Sequence, residues 1–216
     1  MSATFDPSTD LAQVADGTQR VRLLRRGGPC AAGEVEIAHA LARAITQREA
    51  AASDGRYTRS DVAWHLPVAE LPDGPHPGDL ICEADGRRWT ILEVQLVAVR
   101  TRWRCIARNL AIAHGLDQAV TVLEAIYQKQ PCGAAEPTWR ACRTGVPARV
   151  QPLRAEVAVA GQTRRTVRRY RVYLGDLLPL DQRHRILAPD GTLYRVLGWS
   201  AAERIDQLPV AEVEAC

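Results

Sequence analysis

One phrase of this chain occurs twice. Residues 187–200 read LAPDGTLYRVLGWS, and residues 82–95 read CEADGRRWTILEVQ. Each centres on Asp-Gly: Asp85 and Gly86 in the first copy, Asp190 and Gly191 in the second. Asp-Gly between strand-forming residues is a strong hairpin signal, because such turns need a positive φ that glycine adopts at little cost. Pro189 ahead of Asp190 and Gly191 predicts a type I turn with glycine in the left-handed position, the three-residue loop that ends in a bulge. Beyond the turn the copies match by kind at an offset of 105 residues: Trp89 with Tyr194, Ile91 with Val196, Leu92 with Leu197. Read outward, the same offset pairs Ile81 with Ile186, Val62 with Val167 and Cys105 with Val210. A chain carrying one β-unit twice is expected to fold as two tandem small antiparallel β-barrels or sandwiches.

A length of 216 residues accommodates two domains of ordinary size. The boundary is placed at AIAHGLDQ, giving a first domain over 1–118 and a second over 119–216. Residues 34–51, EVEIAHALARAITQREAA, carry Ile37, Leu41, Ala44 and Ile45 at i, i+4, i+7 and i+8, which predicts an amphipathic helix inserted in the first unit. The rest is strand-like, with turn signals every 8–12 residues. In TRWRCIARN, Trp103, Cys105 and Ala107 alternate with Arg102, Arg104 and Arg108, a strand with one wet face.

Several function classes find no support. There is no apolar run near the ~20 residues of a membrane helix. The first residues, MSATFDPSTD, lack the basic and apolar regions of a signal peptide. The six cysteines (30, 82, 105, 132, 142 and 216) form no C-x-x-C pair, and all are read as reduced thiols, Cys82 and Cys105 as small buried hydrophobes. The five histidines (39, 65, 76, 114 and 184) stand at no metal-ligand spacing, His184 beside Asp181 reads as structural, and Asp73, His76 and Asp79 read as a plain turn. Phosphate-loop, nucleophile-elbow, zincin and dinucleotide-binding patterns are missing, so neither a catalytic site, a metal nor a cofactor is expected.

The charged residues carry more information. Residues 1–118 hold 14 basic and 15 acidic groups, and residues 119–216 hold 14 and 10, so the net charge of +3 lies in the second half. Its densest part is Arg164, Arg165, Arg168, Arg169 and Arg171. In a strand from Val167, one face would hold Tyr170, Val172 and Leu174, and the other Arg169, Arg171 and Tyr173. Two readings stand: a basic rim that touches nucleic acid or an acidic partner surface, or a solvated face whose charge discourages edge aggregation.

The order of segments in residues 119–216 resembles the head-tail joining proteins of tailed bacteriophages, the stopper or head-closure family. AVTVLEAIYQK leads to the loop GAAEPTW, then TGVPARVQPL, the arginine-rich RRYRVYLG, LPLDQRHRILAPDGTLYRVLGW and a closing LPVAEVE. Asp181, Arg183, Ile186, Asp190, Gly191, Tyr194 and Val196 carry the resemblance around the hairpin. In the first unit it is confined to VRLLRRG and PGDLICEADGRRWTILEVQ. What the resemblance implies is a non-enzymatic virion protein of the neck. It would be a homo-oligomeric ring of six or twelve copies between portal or adaptor and tail, helping retain packaged double-stranded DNA. Such a protein assembles in the host cytoplasm and has no membrane partner. A portal adaptor, a tail terminator and a tandem-barrel nucleic-acid binder are the alternatives.

Overall fold

The computed structural model describes residues 15–25, 33–97, 100–129, 135–160, 163–176 and 178–216. The chain divides into two units, Met1–Ala113 and His114–Cys216. In the first, β1 (Gln19–Leu24), β2 (Glu34–Ala44), β3 (Val62–Pro67), β4 (Leu80–Glu83), β5 (Arg88–Val97) and β6 (Arg102–Arg108) close a barrel in the order β1-β2-β3-β6-β5-β4. The second is built from β7 (Gln118–Lys129), β8 (Ala135–Ala160), β9 (Thr163–Leu174), β10 (His184–Leu187), β11 (Leu193–Ser200) and β12 (Val210–Ala215), closed as β7-β8-β9-β12-β11-β10. The two orders are the same path drawn twice, and every pairing is antiparallel.

Alternation along each strand fills each barrel with its own core. The first interior holds Leu23, Ile37, Trp64, Leu66, Ile81, Ile91, Cys105 and Ala107, and the second Val122, Val146, Val172, Leu174, Ile186, Tyr194, Val196 and Val213, all buried. Cys82 is buried as well, and burial pushes the Cys105 thiol up to about 12, so both behave as small apolar groups. Cys142 and Cys216 are exposed, while Cys30 and Cys132 lie outside the described residues.

The repeated hairpin is matched bond for bond. Glu83 N–H donates to Arg87 O and Gly86 N–H to Glu83 O, at 2.9 and 3.1 Å. Ala188 N–H and Thr192 O, and Gly191 N–H and Ala188 O, repeat this at 2.9 and 3.0 Å. Each Asp caps its own turn, Asp85 accepting from Arg87 N–H and Asp190 from Thr192 N–H, both at 2.9 Å. Gly86 and Gly191 have φ of +89° and +85°, and a Cβ at either would meet open space. Gly86→Ala and Gly191→Ala are therefore expected to cost the left-handed backbone penalty alone, about 1–2 kcal/mol each. Chemical denaturation should give two values within about 0.5 kcal/mol of each other, the scatter of independent sites.

The offset of 105 extends further in one direction than the sequence indicates and less far in others. A bulge at Leu92, between Ile91 and Glu93, recurs at Leu197, between Val196 and Gly198. The turn ahead of β4 and β10 is repeated with acid and imidazole exchanged. His76 N–H donates to Asp79 Oδ2 at 2.9 Å, and Asp181 N–H donates to His184 Nδ1 at 3.1 Å. Across longer loops the offset drifts. Cys105 faces Val94 and Ala211 faces Trp199, so the partner of Cys105 is Ala211 rather than Val210. Trp64 faces Cys105 and Val172 faces Ala211, so Val62 corresponds to Tyr170, not Val167. A tight hairpin fixes register to the residue, whereas a long loop absorbs insertions at small cost.

The helix expected over 34–51 is not there. Residues Glu34–Ala44 form β2, the counterpart of β8, and the only helix in that stretch is α1 (Gln47–Ala52), opened by a capping box of Thr46 and Glu49. The misreading has a physical cause. A bulge in the β1–β2 pairing, where Gln19 faces Ala40 but Val21 faces Ile37, stretches the inward spacing from two residues to three. An interrupted period of two then imitates the stripe of a helix. Glu70 holds the bulge, its carboxylate accepting from Ala38 N–H at 2.6 Å and from the His39 ring at 2.6 Å. The second helix of the unit, α2 (Leu110–Ala113), is one turn long.

Candidate functional site

The two units differ most where β2 meets β3 and β8 meets β9. In the first unit that connection folds back as α1, which covers Ile45, Ala63 and Ile106 on the outer wall, with Ala50 and Tyr57 packed against them. In the second unit it runs on as strand. β8 has 26 residues, against about 5–6 for an ordinary strand. Its first part pairs with β7 and its last part with β9.

Both ends of β8 leave the barrel. Pairs from Ala155↔Arg168 to Ala160↔Thr163 lie past Arg169↔Glu214, the last pair between β9 and β12. They make a two-stranded ribbon about 20 Å long at the ~3.3 Å rise of a strand. At the other end, pairs from Ala125↔Trp139 to Lys129↔Ala135 lie past Glu124↔His184, the last pair between β7 and β10. The two ribbon tips thus sit at opposite ends of one strand. Pro152 falls where β8 has β9 as its sole partner, so its missing N–H interrupts no central ladder.

Exposed hydrophobic side chains occur at these ribbons. Of the four exposed large hydrophobic residues among those described, Ile126 and Tyr127 lie on the β7–β8 ribbon, and Leu153 is the bulged residue where β8 departs. Ile112, on α2, is the fourth. On the β7–β8 ribbon, the Arg185 guanidinium lies 4.0 Å from the centre of the Trp139 ring, a cation–π contact.

The five arginines read from the sequence all lie on β9. Arg169 and Arg171 lie on the outer wall of the barrel, opposite Val172 and Leu174 in the core, as the alternation predicts. Glu212 on β12 approaches Arg171 at 3.6 Å, and Glu214, across from Arg169, pairs with Arg195 at 3.0 Å. Exposed Arg168 marks the root of the β8–β9 ribbon, and Arg164 and Arg165 are paired along it with Val159 and Ala158. Gly161 and Gln162, between β8 and β9 in the sequence, lie outside the described residues.

A second cationic group, which the sequence presents merely as a wet strand face, lies on the first barrel. His65 on β3 stands directly across from Arg104 on β6, Arg102 lies two residues along β6, and Arg43 projects from β2 on the same outer face. Glu49 of α1 accepts from Arg104 at 3.0 Å. Among the described residues no carboxylate is within ion-pair distance of Arg43 or Arg102, and Arg102 Nε and His65 Nδ1 are buried without a hydrogen-bond partner. Burial, then Arg102, Arg43 and Arg104, hold the His65 imidazole down to about 4. Nothing in residue spacing announces this group, because its members come from three separate strands.

His184 and Asp181 close their turn at 2.8 Å, and the Asp181 carboxyl is lowered chiefly by the Arg183 N–H it accepts. No group of three His, Cys, Asp or Glu residues suited to a metal ion occurs among the described residues. No helix among them is long and apolar enough to cross a membrane.

Neither a family model nor a curated protein matches the chain. Among solved structures, a chain of the virion of a native gene transfer agent particle aligns at 12% identity with a TM-score of 0.39. The alignment covers 46% of this chain and 94% of that one. A protein from Shigella flexneri 2a, known from a solution structure, aligns at 16% identity with a TM-score of 0.34, covering 44% of this chain and 96% of its own.

Proposed function

We propose that this chain is a structural, non-enzymatic virion protein of the phage neck, a head-tail connector of the stopper or head-closure type. It assembles as a ring of six or twelve copies between portal or adaptor and tail, and helps retain the packaged DNA. The observation that carries the reading is the β8 strand with its two ribbons. A two-stranded ribbon has little core of its own and two open edges, and is marginal alone in water. In a ring, each ribbon would lie against the next copy, whose surface would cover the apolar residues at its root. Such contacts are heterologous and close when the rotation between copies closes. The ordered set of segments shared with the stopper family supports the same reading, and the arginines of the β8–β9 ribbon suit phosphates met without base recognition.

The test is the mass of the purified full chain, free and mixed with its portal complex, followed by electron microscopy. A closed ring, or a monomer that becomes a ring on the portal, is the expected result. The double variant Tyr127→Glu, Leu153→Glu should lose the ring while its melting temperature stays within a few degrees, since exposed substitutions cost within about 0.5 kcal/mol. A monomer that ignores the portal and binds DNA by itself would overturn the reading.

A further inference from the structure

We infer that the outer face of β2, β3 and β6 in the first barrel is a binding site for a phosphate group, formed by Arg43, His65, Arg102 and Arg104. This inference stands apart from the assembly reading and from the arginines of the second unit.

Three guanidiniums from two strands converge around one imidazole on a third. His65 and Arg104 are cross-strand neighbours, whose Cβ atoms lie about 5 Å apart in such a pair, and diagonal neighbours lie within about 8 Å. Glu49 offsets one charge, leaving an excess of two positive charges with the imidazole neutral. Like charges gathered this way repel, and the buried Nε–H of Arg102 forgoes a hydrogen bond worth keeping. Several other arginines of the unit are paired. Arg20, Arg22, Arg56, Arg87 and Arg108 each have a carboxylate at 4.0 Å or less.

One ligand would resolve both deficits. An oxyanion accepts from the Arg102 Nε–H and cancels the charge excess, through the charge-assisted bonds that guanidinium forms most readily. A single carboxylate would use one guanidinium fork and leave an unbalanced charge. A phosphate carries up to two charges and presents oxygens in several directions, which suits donors arriving from β2, β3 and β6. The imidazole supplies a further donor once the anion is present, because a nearby negative charge favours the protonated ring. The phosphate could be free or part of a nucleic-acid backbone, and the chemistry of the site is common to both.

The experiment follows the His65 ring by NMR in the full chain while inorganic phosphate is added, then a short double-stranded DNA. The groups facing the ring are Arg43 from β2, Arg102 and Arg104 from β6, and Glu49 from α1. Saturable shifts of the ring resonances, with its titration midpoint rising from about 4 by one pH unit or more, are expected. Arg102→Gln should weaken binding at least tenfold, and Arg20→Gln, on an exposed pair elsewhere, should leave it unchanged. Saturation by inorganic phosphate alone identifies a free-ion site, and saturation by DNA alone a backbone site. A ring that responds to neither probe, or an Arg102→Gln variant that binds as well as the parent, overturns the inference.

Discussion

Asp61→Ala is expected to destabilise the first barrel by about 3 kcal/mol, the low end of what breaking a buried ion pair costs. Asp61 is 1% exposed. Its carboxylate accepts from Arg108 Nε and from a terminal guanidinium nitrogen, both at 2.8 Å, and from Thr58 N–H at 2.7 Å. The pair fastens the segment between α1 and β3 to the last strand of the barrel. Arg108 also donates to Arg56 O at 3.1 Å and stays 16% exposed, so water relieves part of the stranded charge. That exposure sets the estimate at the low end. At 4–8 °C per kcal/mol for a domain of this size, the melting transition of the unit should drop by about 12–24 °C. Asp61→Asn, which keeps an acceptor for Thr58 but not the charge, should fall between variant and parent. Hydrogen exchange resolved by strand should show protection lost across β3 and β6. A change below 1 kcal/mol would mean that the pair is a surface contact in solution.

How far the sequence reached depends on the range of each signal. The Asp-Gly hairpins, the two-barrel class and the alternation of Trp103, Cys105 and Ala107 with arginine were all legible, because a turn or a period of two is written in adjacent residues. The strand at Glu34–Ala44 was misread because the bulge held by Glu70 is a contact with a residue some thirty positions away. The ribbons were half legible. Arg164 to Arg171 pointed to β9, but the reach of β8 past both barrel ends follows from pairings at both edges. Of the group Arg43, His65, Arg102 and Arg104, only the shared face of Arg102 and Arg104 was legible, since the pairing of β3 with β2 and with the distant β6 brings the rest together.

Duplication also allows one core to be tested against the other. Trp64 is fully buried at the centre of the first barrel and stands edge-on to Trp89, with ring centres 6.3 Å apart at 64°. The register puts Val172 in its place in the second barrel and Tyr170 in the place of Val62. There Tyr170 and Tyr194 make the same edge contact at 5.2 Å and 70°. Each barrel therefore keeps one aromatic on the hairpin strand and one beside it, but the second has moved by two residues along the strand, to the next position on the same face. Trp64→Val should cost about 3 kcal/mol, less than the upper values for losing a buried Trp, because the Trp64 N–H has no partner and its removal recovers some desolvation. Val62→Tyr alone should overpack and cost about 1–3 kcal/mol. The double variant Val62→Tyr, Trp64→Val copies the arrangement of the second barrel. Residues in direct contact couple by about 0.5–3 kcal/mol, and here the sign is favourable, so the pair should cost less than Trp64→Val by itself. Denaturation of all three variants measures the coupling. Simple additivity would mean that the two cores, despite one path through twelve strands, are packed by different rules.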